Sequence, residues 1–127
     1  MSQKTPYQLL GEQQGIKALA DAFYDEMCAH DDTKQLRDMH GDDLTQIKQK
    51  LFEYLSGWLG GPPLYQEKYG TVCLTSPHKA YRISKIERNQ WLLCWDRALA
   101  VVQADNQVKA MLKQPITRMA DMLVNHP

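Results

Sequence analysis

The sequence predicts an all-α protein, and two observations carry that prediction. Apolar residues recur every three or four positions in long segments, which is the spacing of one helix face. No segment shows a convincing alternation of apolar and polar residues of the kind that is typical of a strand. Because the long segments form two sequential pairs with an irregular stretch between them, we expect a pocket between the pairs.

The first pair of predicted helices lies before residue 60. A short helix over Pro6–Leu10 precedes it, because Thr5 can cap that helix and proline suits its first position. The apolar face of the first long helix consists of Ile16, Leu19, Ala20, Phe23, Tyr24 and Met27. The second runs from about Asp43 to Leu59, and its apolar face consists of Leu44, Ile47, Leu51, Tyr54, Leu55 and Trp58. Gly60-Gly61-Pro62-Pro63 ends it, since these residues do not continue a helix.

The second pair follows a connection over Leu64–Ser76 that shows no clean period, and long irregular connections are often functional. Ser76-Pro77-His78 is interpreted as a cap, a helix-starting proline and a histidine in the first turn. The third long helix is predicted over about Ser84–Ala104. The last spans about Gln107–Val124, where Pro115 should bend or break it because proline removes one helical hydrogen bond.

Size and charge exclude several classes of protein. The 127 residues are predicted to form a single domain over residues 1–127. Fifteen lysines and arginines balance fifteen acidic residues, so bulk charge does not favour nucleic acid or anionic lipid as a partner. We find no apolar run near the roughly 20 residues of a membrane span, and no signal-peptide core. A cytoplasmic protein without a membrane or nucleic-acid partner is therefore expected.

Cysteine spacing and short motifs exclude further chemistry. Cys28, Cys73 and Cys94 lie far apart and match no zinc or C-x-x-C pattern, so we expect three reduced thiols that pack as small hydrophobes. Redox sensing through one of them is a weaker alternative, since no environment that activates a thiol is evident. Phosphate-binding loops, hydrolase motifs and calcium loops are missing.

Four histidines remain as candidate ligands. His30 in a polar loop and His126 near the end are expected to be solvated. His78 comes directly after the irregular connection, and neutral imidazole is well suited to bind iron near neutral pH. On spacing alone, a lone histidine after proline is more often a capping or surface residue than a ligand, and His40 has a solvated loop role as its alternative.

Five ordered motifs cover nearly the whole chain and together resemble the group II truncated haemoglobins. They are Tyr7–Gly11 (YQLLG), Phe23-Tyr24, Trp58–Pro62 (WLGGP), His78–Ser84 (HKAYRIS) and Arg88–Leu92 (RNQWL). The most specific is the H-x-x-[FY]-R-I-S block, which a tryptophan follows seven residues later. The resemblance implies a two-over-two helical sandwich that encloses haem b.

The same resemblance implies roles for individual residues. His78 matches the proximal iron ligand, while Tyr24 and Trp91 match distal donors of hydrogen bonds to a bound ligand. Ile47 and Leu51 match distal-helix positions over the iron, where neither side chain can donate. His40 matches a distal position that is more often tyrosine or phenylalanine in the family, so it is a third possible donor. With no external ligand, His40 or Tyr24 is a possible sixth ligand of the iron.

A haem pocket also needs apolar walls and positive partners for the propionates. The apolar helix faces supply wall candidates, which are Phe23, Ile47, Leu51, Leu55, Trp95, Ile116 and Met119. Arg82 is the first candidate for a propionate, because its planar fork suits a carboxylate, and Lys79 and Lys85 are the others. Tyr65, Tyr69 and Tyr81 are further candidates for haem contact.

The expected function is the binding of dioxygen, carbon monoxide or nitric oxide at a five- or six-coordinate haem iron. Several donors in a dry pocket favour slow ligand release, which suits oxygen or nitric-oxide chemistry better than oxygen carriage. An enzymatic alternative is nitric-oxide dioxygenation or peroxide reduction, which would need an external reductase. A third alternative is a haem-free helical adaptor, in which His78 would be dispensable.

Overall fold

The computed structural model describes residues 4–126, and nearly all of its regular structure is helical. A single 3-10 turn, Asp31–Thr33, precedes the third helix. The helices are α1 (Pro6–Leu9), α2 (Glu12–Ala29), α3 (Lys34–Asp38), α4 (Thr45–Trp58), α5 (Leu64–Tyr69), α6 (Thr75–His78), α7 (Lys85–Val101) and α8 (Asn106–Met122). No strand occurs between residues 4 and 126, so the prediction of an all-α fold is confirmed.

The long helices pack as two pairs, α2 with α4 and α7 with α8, and α2 also packs on α7. The α2 face predicted from periodicity is buried along its whole length. Side chains from all four helices meet in one apolar core, whose most enclosed members include Ile16, Leu19, Phe23, Met27, Leu55, Trp95 and Val108. Within the described range, no helix is both long and apolar enough to cross a lipid bilayer.

Helix starts follow the local chemistry of the sequence where a side chain can cap them. The Thr5 side chain accepts a hydrogen bond from the Gln8 amide, and the Gln8 side chain accepts one from the Thr5 amide. The helix α1 therefore begins with the predicted cap. Ser84 and Glu87 form the same reciprocal box at the start of α7. These two capping boxes fix the starts of the predicted short helix and of the third long helix.

Two predictions about the connection between the pairs are wrong. The stretch from Leu64 is not irregular throughout, because α5 occupies its first six residues. This helix is too short for its period to be recognised. Ser76 is not a cap, since α6 begins at Thr75 and has Leu74 at its N-cap, which places Pro77 inside the short helix.

Pro115 does not break α8, which continues from Asn106 to Met122. Leu112 and Ile116 are buried on either side of the proline, and this packing holds the helix where one hydrogen bond is lost. The prediction that all cysteines are buried holds only for Cys94. Cys28 lies on the solvent side of α2 and Cys73 in the open connection, so both thiols are exposed.

The glycine pair in the motif Trp58–Pro62 joins α1 to the end of α4. Gly60 has a φ of +98°, a left-handed conformation that ends the helix at low cost because glycine has no Cβ. The Tyr7 amide donates to the Leu59 carbonyl oxygen at 2.9 Å. A Cβ added to Gly61 would overlap the ring of Tyr7. The second glycine is therefore required by the close approach of the Tyr7 ring.

Replacing Gly61 with alanine should lower the free energy of unfolding by about 1–3 kcal/mol, because the new methyl group must displace the Tyr7 ring. Urea denaturation measures this loss. Gly41→Ala is the matched control, since an added Cβ there has no heavy atom within 4 Å. A penalty at Gly61 that persists unchanged in a Tyr7→Ala background would contradict this explanation.

Candidate functional site

A cavity of about 350 Å³ lies where α2, α4, α7 and α8 approach the connection that carries α6. This volume falls within the usual range for small-molecule and cofactor pockets, about 300–1,000 Å³. Seven of the predicted site residues line it, and they are Tyr24, His40, Ile47, His78, Tyr81, Trp91 and Met119. These residues come from distant parts of the sequence, so the fold gathers much of the predicted site around one space.

His78 is the last residue of α6 and is half-buried at the cavity wall. Its Nδ1 donates to the carbonyl oxygen of Leu74, one turn earlier. Because a carbonyl oxygen only accepts, Nδ1 carries a proton, so in the neutral form of the ring Nε2 keeps its lone pair. Nε2 has no hydrogen-bond partner among residues 4–126. An imidazole that is held through Nδ1 in this way is arranged as metal-ligating histidines usually are.

Tyr24 and Trp91 place two potential donors at the cavity. Tyr24 is almost fully buried on α2, and burial raises the pKa of its phenol far above the ordinary value, with a smaller contribution from Cys94. The hydroxyl therefore keeps its proton at any physiological pH. Neither the Tyr24 hydroxyl nor the Trp91 indole N–H has a hydrogen-bond partner within the described part of the chain, so both donors are available to a ligand.

His40 follows α3 and lines the same cavity. Its Nδ1 donates to the Leu36 carbonyl oxygen at 2.9 Å. Burial lowers the pKa of His40, while the bond to Leu36 opposes that effect, and nearby Arg37 lowers the pKa further. The ring is thus neutral near pH 7, and its Nε2 accepts hydrogen bonds or coordinates a metal rather than donating.

Gln90 of α7 bonds to α3, the short helix that precedes His40. Its side-chain oxygen accepts from the Leu36 amide at 2.9 Å, and its side-chain nitrogen donates to Gln35 at 2.7 Å. The backbone of Leu36 is thus bonded through its amide to α7 and through its carbonyl oxygen to the His40 ring. This contact aligns α3 with the helix that carries Trp91.

Two of the predicted wall residues, Phe23 and Trp95, lie behind the cavity rather than on its surface. The Phe23 ring packs against Tyr24 and Trp91, with centroid distances of 5.0 and 4.9 Å. Trp95 stacks on Trp91 with an angle of 8° between the ring planes. Both rings are fully enclosed. They support the donor-bearing side chains and limit their motion.

The other predicted apolar residues also belong to the core. Leu55 and Ile116 are buried, and Leu51 is half-buried against the same core. None of these three lines the cavity. On α4 the lining residues are Gln46, Ile47 and Lys50, and Leu44 lines the cavity just before this helix begins.

Tyr65 and Tyr69 lie on α5, outside the cavity lining. Tyr65 contacts Tyr54 of α4 edge-on, with 5.5 Å between ring centroids, and Tyr69 packs on Tyr65 at 4.5 Å. Lys50, which does line the cavity, has its Nζ 5.7 Å from the Tyr69 ring centroid. The two tyrosines therefore lie outside the cavity and are linked to its lining by the contact between Tyr69 and Lys50.

A buried carboxylate attaches α5 to α4. Glu53 accepts hydrogen bonds from Lys68 at 3.2 Å and from Gln49 at 3.4 Å through the same oxygen. The bond to Glu53 raises the pKa of Lys68. The other oxygen, Oε1, is the one buried side-chain polar atom without a partner in residues 4–126. This ion pair keeps α5, and with it Tyr69, close to α4.

The cations of the cavity wall differ from those that the sequence suggested. Lys79, Arg82 and Lys85 are exposed and do not line the cavity. Lys50 and Arg88 do. Arg88 pairs with Asp121 at 2.8 Å, whereas Lys50 takes part in no ion pair of the described residues.

Several lining residues had no distinct signal in the sequence. Leu36 and Met39 belong to a short helix and its end, in a stretch too brief for a period. Lys50 stands on the polar face of α4, where the pattern indicated only solvation. Two other lining residues could have been predicted. Leu44 belongs to the apolar face predicted for the second long helix, and Arg88 belongs to the motif Arg88–Leu92.

Comparison with known proteins settles the family. The family model described as bacterial-like globin matches residues 5–125. The chain belongs to the bacterial-like globin family. This globin is 30% identical over 120 residues to the Group 2 truncated hemoglobin YjbI of Bacillus subtilis, an alignment that covers 94% of this chain and 88% of that one. The resemblance read from the five motifs is thereby confirmed.

Solved structures confirm the two-over-two fold. The cold-adapted truncated hemoglobin of Pseudoalteromonas haloplanktis TAC125 matches with a TM-score of 0.93 and 38% identity, and covers 98% of this chain and 100% of that chain. The Group II 2-on-2 hemoglobin of Agrobacterium tumefaciens matches with a TM-score of 0.94 and 31% identity, and covers 100% and 98% respectively. Family membership implies that this globin binds haem.

The cavity fits that cofactor by its chemistry. Residues 4–126 contain no group of three or more histidine, cysteine, aspartate or glutamate side chains that would hold a bare metal ion. Haem iron needs fewer protein ligands, because the porphyrin supplies four, and a histidine is a usual axial ligand. His78 offers that ligand next to apolar lining residues that include Leu36, Ile47 and Met119. Lys50, which takes part in no ion pair of the described residues, adds a positive charge at the wall.

Proposed function

We propose that this globin, as a single domain, binds haem b through His78 and holds dioxygen and other diatomic gases in the cavity beside Tyr24 and Trp91. The observation that carries the proposal is the arrangement of His78, which lines the cavity with Nδ1 bonded to Leu74 and with no partner for Nε2 among residues 4–126. The iron of the bound cofactor supplies the coordination position for the gas. Every other element of the site comes from the chain's own side chains.

Tyr24 and Trp91 donate hydrogen bonds to the gas and slow its departure. Both protons are available, and Phe23 and Trp95 hold the two side chains in place. Each net hydrogen bond contributes about 1 kcal/mol in a protein, which corresponds to roughly fivefold in affinity. A pocket with two such donors favours tight binding and slow release over oxygen carriage.

We assign His40 a different role from the other two. In the tautomer that its bond to Leu36 dictates, Nε2 has a lone pair and no proton. His40 is therefore the better candidate than Tyr24 for the sixth ligand of the iron when no gas is bound, since the Tyr24 phenol retains its proton.

Lys50 is our first candidate for a propionate partner, ahead of Arg82, because Lys50 lines the cavity and Arg82 does not. Turnover of nitric oxide or peroxide would use the same donors and would require an external reductase to supply electrons. No contact in the described residues favours turnover over ligand binding. The haem-free adaptor is disfavoured, because the family binds haem.

Replacing His78 with alanine should abolish the five-coordinate imidazole signature of the ferrous protein, because the axial nitrogen is removed. Absorption spectra of the ferric, ferrous and carbonmonoxy forms measure this. His30→Ala is the matched control, since His30 is exposed and its ring pairs with Glu26, away from the cavity lining. An unchanged ferrous spectrum in His78→Ala would refute the proposed ligation.

Replacing Trp91 with phenylalanine should accelerate dioxygen dissociation about fivefold, because one hydrogen bond of about 1 kcal/mol is lost while an aromatic ring remains. Tyr24→Phe should have an effect of similar size. Stopped-flow displacement of dioxygen by carbon monoxide measures both rates. Trp58→Phe serves as the control, since Trp58 packs against the core outside the cavity lining. Fast dissociation that Trp91→Phe leaves unchanged would show that the indole does not stabilise the ligand.

A low-spin, six-coordinate component should appear in the ferric spectrum near neutral pH, because neutral His40 presents Nε2 to the cavity. His40→Phe should remove this component and Tyr24→Phe should retain it. The assignment fails if the wild-type spectrum is purely high-spin and water-bound, or if only Tyr24→Phe abolishes the low-spin component.

A further inference from the structure

The residues that follow α8 fold back onto the loop between α6 and α7. The Ile83 amide donates to the side-chain oxygen of Asn125 at 2.8 Å. The amides of Asn125 and His126 both donate to the Ile83 carbonyl oxygen, at 2.9 and 3.1 Å. Ile83 itself is buried and lines the cavity. Asn125 and His126 therefore satisfy both backbone polar groups, the amide and the carbonyl, of one residue that lines the cavity.

The Asn125 side chain also reaches the beginning of that loop. Its Nδ2 donates to the Tyr81 carbonyl oxygen at 2.8 Å and lies 3.5 Å from the carbonyl oxygen of His78. The Tyr81 amide in turn donates to the same His78 carbonyl oxygen at 3.0 Å. Asparagine supplies an acceptor and two donors on one planar group, so Asn125 bonds to the loop at both Tyr81 and Ile83.

The other contacts of this loop in the described chain include the buried Ile83 side chain and the bond from the Tyr81 amide to the His78 carbonyl oxygen. Lys79, Ala80, Tyr81 and Arg82 are all exposed, so apolar packing contributes little there. The helix that ends at His78 has four residues, too few to be stable without tertiary contacts. The backbone on the C-terminal side of His78 is thus fixed mainly by hydrogen bonds from Asn125 and His126.

We propose that Asn125 is a positioning residue for His78: its carboxamide holds the loop 78–83, so that the imidazole keeps its orientation towards the cavity. This inference rests on the proposed function, in which His78 is the iron ligand. Leu74 fixes the ring from the preceding turn, and Asn125 fixes the backbone that follows. Without the second constraint the ring retains its hydrogen bond but its backbone moves more freely.

The test compares Asn125→Ala with Asn106→Ala in the haem-loaded protein. Asn106 is exposed at the start of α8 and takes no part in the loop contacts. Loss of haem to excess apomyoglobin should be about tenfold faster in Asn125→Ala, which corresponds to about 1.4 kcal/mol. The ferrous iron–imidazole stretching band, measured by resonance Raman spectroscopy, should shift or broaden. Asn106→Ala should match the wild type in both measurements.

Two further arms separate orientation from simple loss of stability. In the haem-free protein, Asn125→Ala should accelerate hydrogen exchange at the Ile83 amide, because its acceptor is gone. Asn125→Asp keeps that acceptor but replaces the Nδ2 donor with a second oxygen that faces the Tyr81 carbonyl oxygen. It should therefore protect the Ile83 amide and still release haem about threefold faster, on the order of half the Asn125→Ala effect in free energy.

The outcomes distinguish the inference from the function on which it rests. If His78→Ala removes the imidazole band but Asn125→Ala keeps the wild-type band and rate of haem loss, the inference is overturned alone. If His78→Ala retains the band, both the inference and the proposed function are overturned. A changed band in Asn125→Ala together with accelerated exchange at Ile83 supports the positioning role.

Discussion

The hydrogen bond from His78 Nδ1 to the Leu74 carbonyl oxygen is the interaction on which the site depends. It fixes the tautomer of the ring and leaves the Nε2 lone pair at a cavity that is largely apolar. The bond forms within a single turn of helix, so it requires no distant residue. The rest of the fold provides the space that this nitrogen faces and the donors that share it.

The part of the cavity wall that carries the hydrogen-bond donors consists of two layers of side chains. Tyr24 and Trp91 line the cavity with unengaged donors, and the enclosed rings of Phe23 and Trp95 pack behind them. The donors are therefore rigid before a ligand arrives, and little conformational entropy remains to be lost on binding. His40 is oriented separately, through the Leu36 carbonyl oxygen, and offers a lone pair where the other two offer protons.

Much of the architecture was predictable, because each long helix repeats its apolar spacing over several turns and two of the predicted starts carry capping boxes. Helix α5 was not, and α6 begins before its predicted cap, since a segment of four to six residues has no measurable period. At the site, motif resemblance led to His78, Tyr24 and Trp91. Lys50 was missed because its helix position indicated only solvent, and Asn125 because its contacts span more than 40 residues of sequence.

The central claim is that the cavity is built around an imidazole at position 78, and chemical rescue tests it most directly. In His78→Gly, the side chain is removed and space for free imidazole is left in its place. Haem titration followed by absorption spectroscopy should show no five-coordinate imidazole form of the ferrous variant until imidazole is added, and should then show the wild-type spectrum. A wild-type ferrous spectrum without added imidazole would contradict the account.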